Sequence, residues 1–444
     1  MTVDKFRRPG TRVMAASALA VVVQSGFAAD DIDLPRPASL IDGLTIQGGV
    51  GLTTHSNGAL QDENRQSDLE RIVHADIGYQ HADDGRFLAD LDYSAERRDF
   101  LHDAQTDQTA VNGRALLVGH LLPNRLDLIL ENQLSEALTD TRLADVTGNQ
   151  ERRSVTTAGL DGYAHLSDVD ALVLSPRYTD VRLQSSTGSN SQRSSVSGTW
   201  QHRTSPVTQT QVSVSYGDVR FDESSNNYTT TGVQVGFKTS LSRLSYQLAV
   251  GFDRFDRDQG KNVDGYMLQA GIDYQGDGYT WGGSAVHQLT DTSIGLSQNE
   301  FVLTNFQAQD SNFDEQDILK STQLELYAGR RIMGGQLDAR IGYHKYDYDT
   351  LPRDEQGYYG QIGYQYPLNI YWSLGADVRY EKTRFLDDPK TEYNEVTPEV
   401  YALYRWSERL TARLGFARRD RHSNDIMNRF TDNQAMLDIN YRFY

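Results

Sequence analysis

The chain contains no cysteine, so it has no disulfide framework and no thiol to carry an N-terminal lipid anchor. Beyond residue 30 it also lacks any apolar run approaching the roughly 20 residues that a membrane-spanning helix needs. Basic residues are in deficit: 43 Lys and Arg stand against 61 Asp and Glu, a formal charge of −18. A polyphosphate partner needs a basic face, so non-specific nucleic-acid binding is excluded. Proline is scarce (10) and tyrosine abundant (25), a balance that suits strands and interfacial aromatics rather than a disordered tail.

The first residues form a three-part pattern. Lys5, Arg7, Arg8 and Arg12 precede an apolar stretch from Val13 to Val23, which Gln24 and Ser25 end before small residues at Gly26, Ala28 and Ala29. A secretory signal peptide has this order, with cleavage expected after Ala28. Residues 29–43 then form a short periplasmic segment, and 44–444 the body of the protein. About 15 residues between the cleavage site and the first strand are too few for a plug domain.

From Leu44 onward one unit recurs: about ten alternating residues, a short turn, ten more, then a long polar loop. Leu44, Ile46, Val50 and Leu52 share one face of the first strand, and Val73, Ala75, Ile77 and Tyr79 one face of the second. Leu244, Tyr246, Leu248, Val250 and Phe252 alternate with Ser245, Gln247, Ala249 and Gly251. Period-2 patterning defines a sheet with one apolar and one polar face, and it keeps window-averaged hydropathy low even in a membrane protein.

Connections fall into two alternating classes. Short turns are expected at His81 to Gly85, Pro123 to Arg125, Ser167 to Asp170, Thr204 to Val207, Ser240 to Arg243, Gly276 to Gly278, Met333 to Gly335, Pro367 to Asn369 and Ser407 to Arg409. Long loops include His55 to Asp68, Thr139 to Arg153, Gln184 to Arg193, Asp253 to Asn262, Thr290 to Asp317 and Asp420 to Asp432. Short periplasmic turns opposite long extracellular loops mark bacterial outer-membrane barrels. The expected fold is therefore an all-β, transmembrane, antiparallel up-and-down barrel of about 20 strands, with both chain ends periplasmic. Pro176 and Pro398 fall inside assigned strands, where proline is unwelcome except at bulges or strand starts.

Aromatic placement points the same way. Tyr79, Trp200, Phe237, Tyr274, Trp281, Tyr366, Trp372 and Trp406 cluster beside short turns, while Tyr93, Tyr178, Tyr216, Phe252, Tyr343 and Tyr380 lie near long loops. Two interfacial girdles would produce this arrangement. The closing segment alternates Leu437, Ile439, Tyr441 and Phe443 with polar residues, and resembles the insertion signal read by the barrel-assembly machinery. Tyr444 follows the residue that carries the phase.

The stretches Asn132-Gln133-Leu134-Ser135, Asp140-Thr141-Arg142, Gly148-Asn149-Gln150 and Leu174-Ser175-Pro176-Arg177-Tyr178 resemble the "beta-barrel porin 2" family of exopolysaccharide and exosortase-linked gene clusters. The resemblance implies an outer-membrane conduit for a secreted polysaccharide, working beside a periplasmic polysaccharide-export protein.

With the apolar face outward, parity places Asp76, Asp90, Asp92, Asp127 and Glu131 inside, and likewise Arg340, Arg379, Arg405, Arg413 and Arg442, interspersed with Asp338, Asp377 and Glu399. One reading is a transverse field, an acidic wall against a partly basic one; the other is pairing across neighbouring strands that only solvates the pore. Arginine's planar fork suits carboxylates of the protein or of an acidic sugar.

His74, His120, His165, His202, His287, His344 and His422 lie in different hairpins. No nucleophile elbow, H-E-x-x-H or phosphate loop occurs, so neither an enzyme nor a cofactor is expected. Asp253, Asp256 and Asp258, or Asp347 and Asp349, lack the spacing of a calcium loop and read as solvated loop carboxylates. The channel readings left open are a polysaccharide conduit and a diffusion porin; a structural barrel with a closed lumen is the third. Lipopolysaccharide is the expected surrounding partner, and a fold-in of Thr290 to Asp317 would favour a porin-like constriction or a plug.

Overall fold

The computed structural model describes residues 43–82, 86–184, 190–222, 226–293 and 316–444. The signal peptide and residues 29–42 lie outside the described residues, as do parts of the 81–85, 184–193 and 290–317 connections.

The described chain forms twenty antiparallel strands: β1 (Leu44–His55), β2 (Asp68–Ala82), β3 (Phe87–Phe100), β4 (Gln108–Leu122), β5 (Leu126–Leu138), β6 (Gln150–His165), β7 (Asp170–Leu183), β8 (Ser191–Ser205), β9 (Thr208–Phe221) and β10 (Tyr228–Ser240), followed by β11 (Leu244–Arg257), β12 (Val263–Gly276), β13 (Tyr279–Asp291), β14 (Ile318–Ile332), β15 (Gly335–Tyr348), β16 (Glu355–Pro367), β17 (Trp372–Phe385), β18 (Tyr393–Arg405), β19 (Leu410–Ser423) and β20 (Phe430–Arg442). Each strand pairs with its sequence neighbours, and β1 pairs with β20 from Gln47↔Arg442 to His55↔Gln434. Closure leaves no strand with an unpaired edge exposed to lipid.

Alternation places the side chains. Val50, Val73, Leu174, Val214, Leu326 and Val400 expose between 53 and 59% of their surface, an apolar outer face that only lipid can cover. The aromatics of both girdles share this outward face, and near the turns they pack together: Trp372 on Tyr404 at 4.6 Å, Tyr274 on Trp281 at 5.6 Å and Tyr441 on Phe443 at 4.9 Å between ring centroids.

The two strand prolines sit where the ladder is interrupted without a change of register. Between β6 and β7 pairing runs to Gly159↔Arg177 and resumes at Gly162↔Leu174; between β18 and β19 it breaks between Val396↔Asp420 and Glu399↔Ala417. Beside Pro176, which has no N–H to give, Arg177 donates to the Leu160 carbonyl at 2.7 Å and to Asp161 at 2.7 Å. Gly159 leaves room for it, since a Cβ there would meet the Arg177 side chain.

Two expected loops are shorter than the sequence suggested. Asp253 to Arg257 continues β11, and Asp420 to Ser423 continues β19. These strands run on past the apolar band, where the outward residues are Arg254 and Asp256, or Arg418, Asp420 and His422. Alternation of apolarity is lost there, although the ladder is not.

Candidate functional site: the lumen and its extracellular mouth

Twenty strands about 4.8 Å apart, tilted about 40°, would enclose a circular barrel about 40 Å across between backbones. Side chains facing each other across a ladder point to the same side, so the registers fix what lines this interior.

Asp76, Asp90 and Asp92 lie on the inward face of β2 and β3, and Asp127 and Glu131 on that of β5. Arg340 on β15, Arg379 on β17, Arg405 on β18, Arg413 on β19 and Arg442 on β20 lie on the same inner surface. The ten do not converge on one point. Asp90 meets Arg114 at 3.2 Å, Asp127 meets His120 at 2.8 Å, and Arg413 meets Glu399 at 2.5 Å with its guanidinium 4.4 Å above the Tyr401 ring. Arg340 is 3.8 Å from Glu325.

The acidic sector β2–β5 and the arginine sector β15–β20 face each other only in part: Asp127 and Glu131 on β5 lie half the ring away from Arg340 on β15, whereas at their other ends the two sectors adjoin. β20 closes on β1, and β1 pairs with β2, so the sectors are neighbours separated by one strand. Parity assigns a face, but azimuth comes only from closing the ring. Across the lumen stands a third sector, β8–β13, lined through its middle by uncharged hydroxyls and amides: Ser195, Ser197, Thr199, Gln211, Ser213, Gln234, Gln247 and Gln269. Thr199 and Ser213 share a 2.8 Å hydrogen bond. Charges facing inward here, such as Arg193, Lys238 and Asp273, occupy the outer thirds of their strands.

Of the loop carboxylates, Asp253 is on the inner face of β11 and Asp256 on its outer face. Asp256 pairs with Arg254 at 2.7 Å, Asp347 with Lys345 at 2.6 Å, and Asp349 with Arg257 at 2.9 Å. They are strand or ion-paired groups, not free loop carboxylates.

The 139–149 connection folds into the mouth. Thr141 donates through Oγ1 to Glu355 Oε2 at 2.8 Å, although β5 and β16 are on opposite arcs of a twenty-strand ring. Three residues span at most about 11 Å, so Thr141 cannot leave the end of β5 far behind, and the two sides of the mouth are drawn together there. Arg421 on β19 donates to the Leu143 carbonyl at 3.2 Å, and Ala144 is buried with Leu60 and Phe430. Thr147 donates through Oγ1 to the Thr106 carbonyl at 2.8 Å and through its backbone N–H to Gln105 Oε1 at 2.9 Å. Burial pushes the Asp140 carboxyl up, but the Arg142 fork and N–H outweigh it and hold the group below its ordinary value.

The ends of the longest connection also leave the wall. β12 stops pairing with β13 at Leu268↔His287, while β13 and β14 stay paired to Asp291↔Ile318. Leu289 and Ile318 are thereby buried against Val219, Phe221, Tyr228, Phe255 and Val263 on the inner face of β9–β12. Arg193 holds Asp291 at 2.6 Å, Tyr228 donates to the same carboxylate, and Arg257 holds Asp317 at 2.9 Å. Residues 294–315 lie outside the described residues. The loop singled out by sequence is thus rooted inside the mouth, whereas the crossing by residues 139–149 carries no local signal, because Glu355 and Arg421, which hold it to the far side, are more than 200 residues away.

On the inner wall the rings of Tyr327, Tyr359 and Tyr401 each occupy the place that a Cβ would take at a glycine of the preceding strand, Gly282, Gly342 and Gly375. Tyr359 donates to Glu325 at 2.6 Å, and Tyr327 to Asp273.

Fold and lining together define an outer-membrane β-barrel. Two solved structures share the architecture: the FrpB iron transporter from Neisseria meningitidis (F5-1 variant), 12% identical with a TM-score of 0.54 over 91% of this chain and 83% of that one, and its apoprotein form, 12% identical with a TM-score of 0.53 over 91% and 82%. At that identity the likeness is one of fold. No protein-family model and no curated protein matches the chain.

Proposed function

We propose that the protein is a passive outer-membrane channel whose cargo is a secreted polysaccharide, in keeping with the resemblance to the beta-barrel porin 2 family. The supporting observation is the pairing of linings: an uncharged wall of hydroxyls and amides on β8–β13 continues round the ring into a wall bearing Arg340, Arg379 and Arg413, of which Arg413 on β19 stands opposite β9. Amides and hydroxyls exchange hydrogen bonds with sugar hydroxyls, and guanidinium forks suit acidic substituents. The barrel has no catalytic step on this reading. Its partners are lipopolysaccharide around it, the barrel-assembly machinery acting on the Leu437, Ile439, Tyr441 and Phe443 strand, and a periplasmic polysaccharide-export protein.

Single-channel conductance of the refolded protein, with neutral and acidic oligosaccharides as blockers, tests this. Interruption by acidic oligosaccharides that weakens in Arg340→Ala and Arg379→Ala supports the conduit. A second reading, a diffusion porin, is favoured by the inward crossing of residues 139–149; a large conductance indifferent to sugars would select it. Absence of conductance would remove both.

A further inference from the structure

The cations of the lumen are distributed unequally between the two ends of the barrel. Towards the extracellular mouth, four inward guanidinium groups are matched to carboxylates: Arg193 to Asp291 at 2.6 Å, Arg257 to Asp317 at 2.9 Å, and Arg419 and Arg421 to Glu395 at 2.9 and 2.8 Å. At the periplasmic ends of β8, β10, β14 and β18 stand Arg203, Lys238, Arg331 and Arg405. Their registers, Arg203↔Gln209, Lys238↔Gln247, Arg331↔Gln336 and Arg405↔Thr411, set them opposite uncharged residues of the inner face. None of the four has a carboxylate within ion-pair distance among the described residues.

Carboxylates at the same level are engaged elsewhere. Asp90 is ion-paired with Arg114 at 3.2 Å, Asp161 with Arg177 at 2.7 Å and Asp127 with His120 at 2.8 Å, while Asp273 and Asp338 take hydrogen bonds from the neutral Tyr327 and, at 2.9 Å, Gln336. A paired charge is felt at a distance only as a dipole, whereas an unpaired one keeps its full field in a low-dielectric mouth. In a chain of net charge −18, Arg203, Lys238, Arg331 and Arg405 are thus positive charges of the periplasmic rim that no carboxylate among the described residues pairs.

We propose that this rim is a binding vestibule for a polyanionic chain, a carboxylate-bearing polysaccharide, received from the periplasm and threaded outward, with Arg203, Lys238, Arg331 and Arg405 as its anchoring groups. The proposal rests on the channel reading and adds the charge of the cargo and the side from which it comes. Four cations spread over eleven strands suit a flexible chain with repeated negative charges better than a single small anion, which could touch only one of them at a time.

The full-length protein, refolded in a planar bilayer, tests it with oligogalacturonate as the acidic probe and maltodextrin of equal length as the neutral one. Orientation is read from a Ser167→Cys variant labelled from one side. Oligogalacturonate should interrupt the current at a concentration roughly tenfold lower from the periplasmic side than from the extracellular side, and the ratio should fall as salt rises. Maltodextrin should show no such side preference. The R203Q/K238Q/R331Q/R405Q variant should lose the asymmetry while keeping its conductance and its response to maltodextrin.

Equal block from both sides, or an asymmetry that survives the four substitutions, overturns the proposal. Should no current flow, equilibrium binding of fluorescent oligogalacturonate to the detergent-solubilised protein separates the two ideas. Binding that weakens about tenfold in the variant keeps the vestibule and removes the channel. Binding that is absent, or equal in both proteins, removes the vestibule.

Discussion

The β8–β13 wall and the β14–β20 wall solve one problem, a polar surface inside a membrane protein, in opposite ways. The first uses hydroxyls and amides, such as Thr199 with Ser213 and the buried Gln247 and Gln269, whose partners can be exchanged for water at little cost. The second uses full charges, and where these are buried each needs its counter-charge: Glu395 serves both Arg419 and Arg421, and Glu399 serves Arg413. Removing one member of such a set leaves an uncompensated charge. The neutral wall should therefore tolerate change, and the charged wall should not.

The largest effect should come from removing what draws the mouth together. Replacing residues 141–148 by a short Gly-Ser linker should raise single-channel conductance severalfold; an unchanged conductance would mean that the crossing does not limit the pore. Next, Glu395→Gln should destabilise the barrel by about 3–5 kcal/mol, because Arg419 and Arg421 stay buried without their carboxylate. Gln269→Leu, equally buried on the neutral wall, should cost no more than about 1 kcal/mol. Heat-induced band shifts on gels read both, and equal losses would break the distinction between the walls.

A smaller change should follow from acid. The Asp140 carboxyl titrates below its ordinary value when folded, so its contribution is fully present above the ordinary carboxylate range and is lost as pH falls through the depressed value. Acidification should then loosen the 139–149 crossing and raise conductance, and Asp140→Asn should reproduce part of that rise at neutral pH and blunt the acid response. Smallest of all, Thr199→Val should cost about 1 kcal/mol by leaving Ser213 one partner short, with ion selectivity unchanged; a selectivity shift there would show that the neutral wall takes part in sorting solutes.

Much of the fold was legible because turns and spanning strands obey local rules. Asn124 and Met333 take up positive φ of 59° and 51°, and Gly278 and Gly334 of 83° and 85°, so residues at the short turns announce themselves. Strand ends beyond the membrane were not legible: Arg254 and Asp256, or Arg418 and Asp420, look like loop although they are paired. Parity placed Asp76 and Arg340 on one surface, but the adjacency of their sectors depends on β20 meeting β1. The contact of Thr141 with Glu355 and the anchoring of Leu143 by Arg421 are non-local, and no pattern in residues 139–149 announces them.

That last feature also has a meaning in time. Thr141 is bound by a residue 214 positions later in the chain and Leu143 by one 278 positions later, so neither bond can form until strands far apart in the chain share one sheet. Contacts of such wide sequence separation are slow to close. The narrowing of the outer opening is therefore a late step of assembly, one that waits until β5, β16 and β19 have all taken their places.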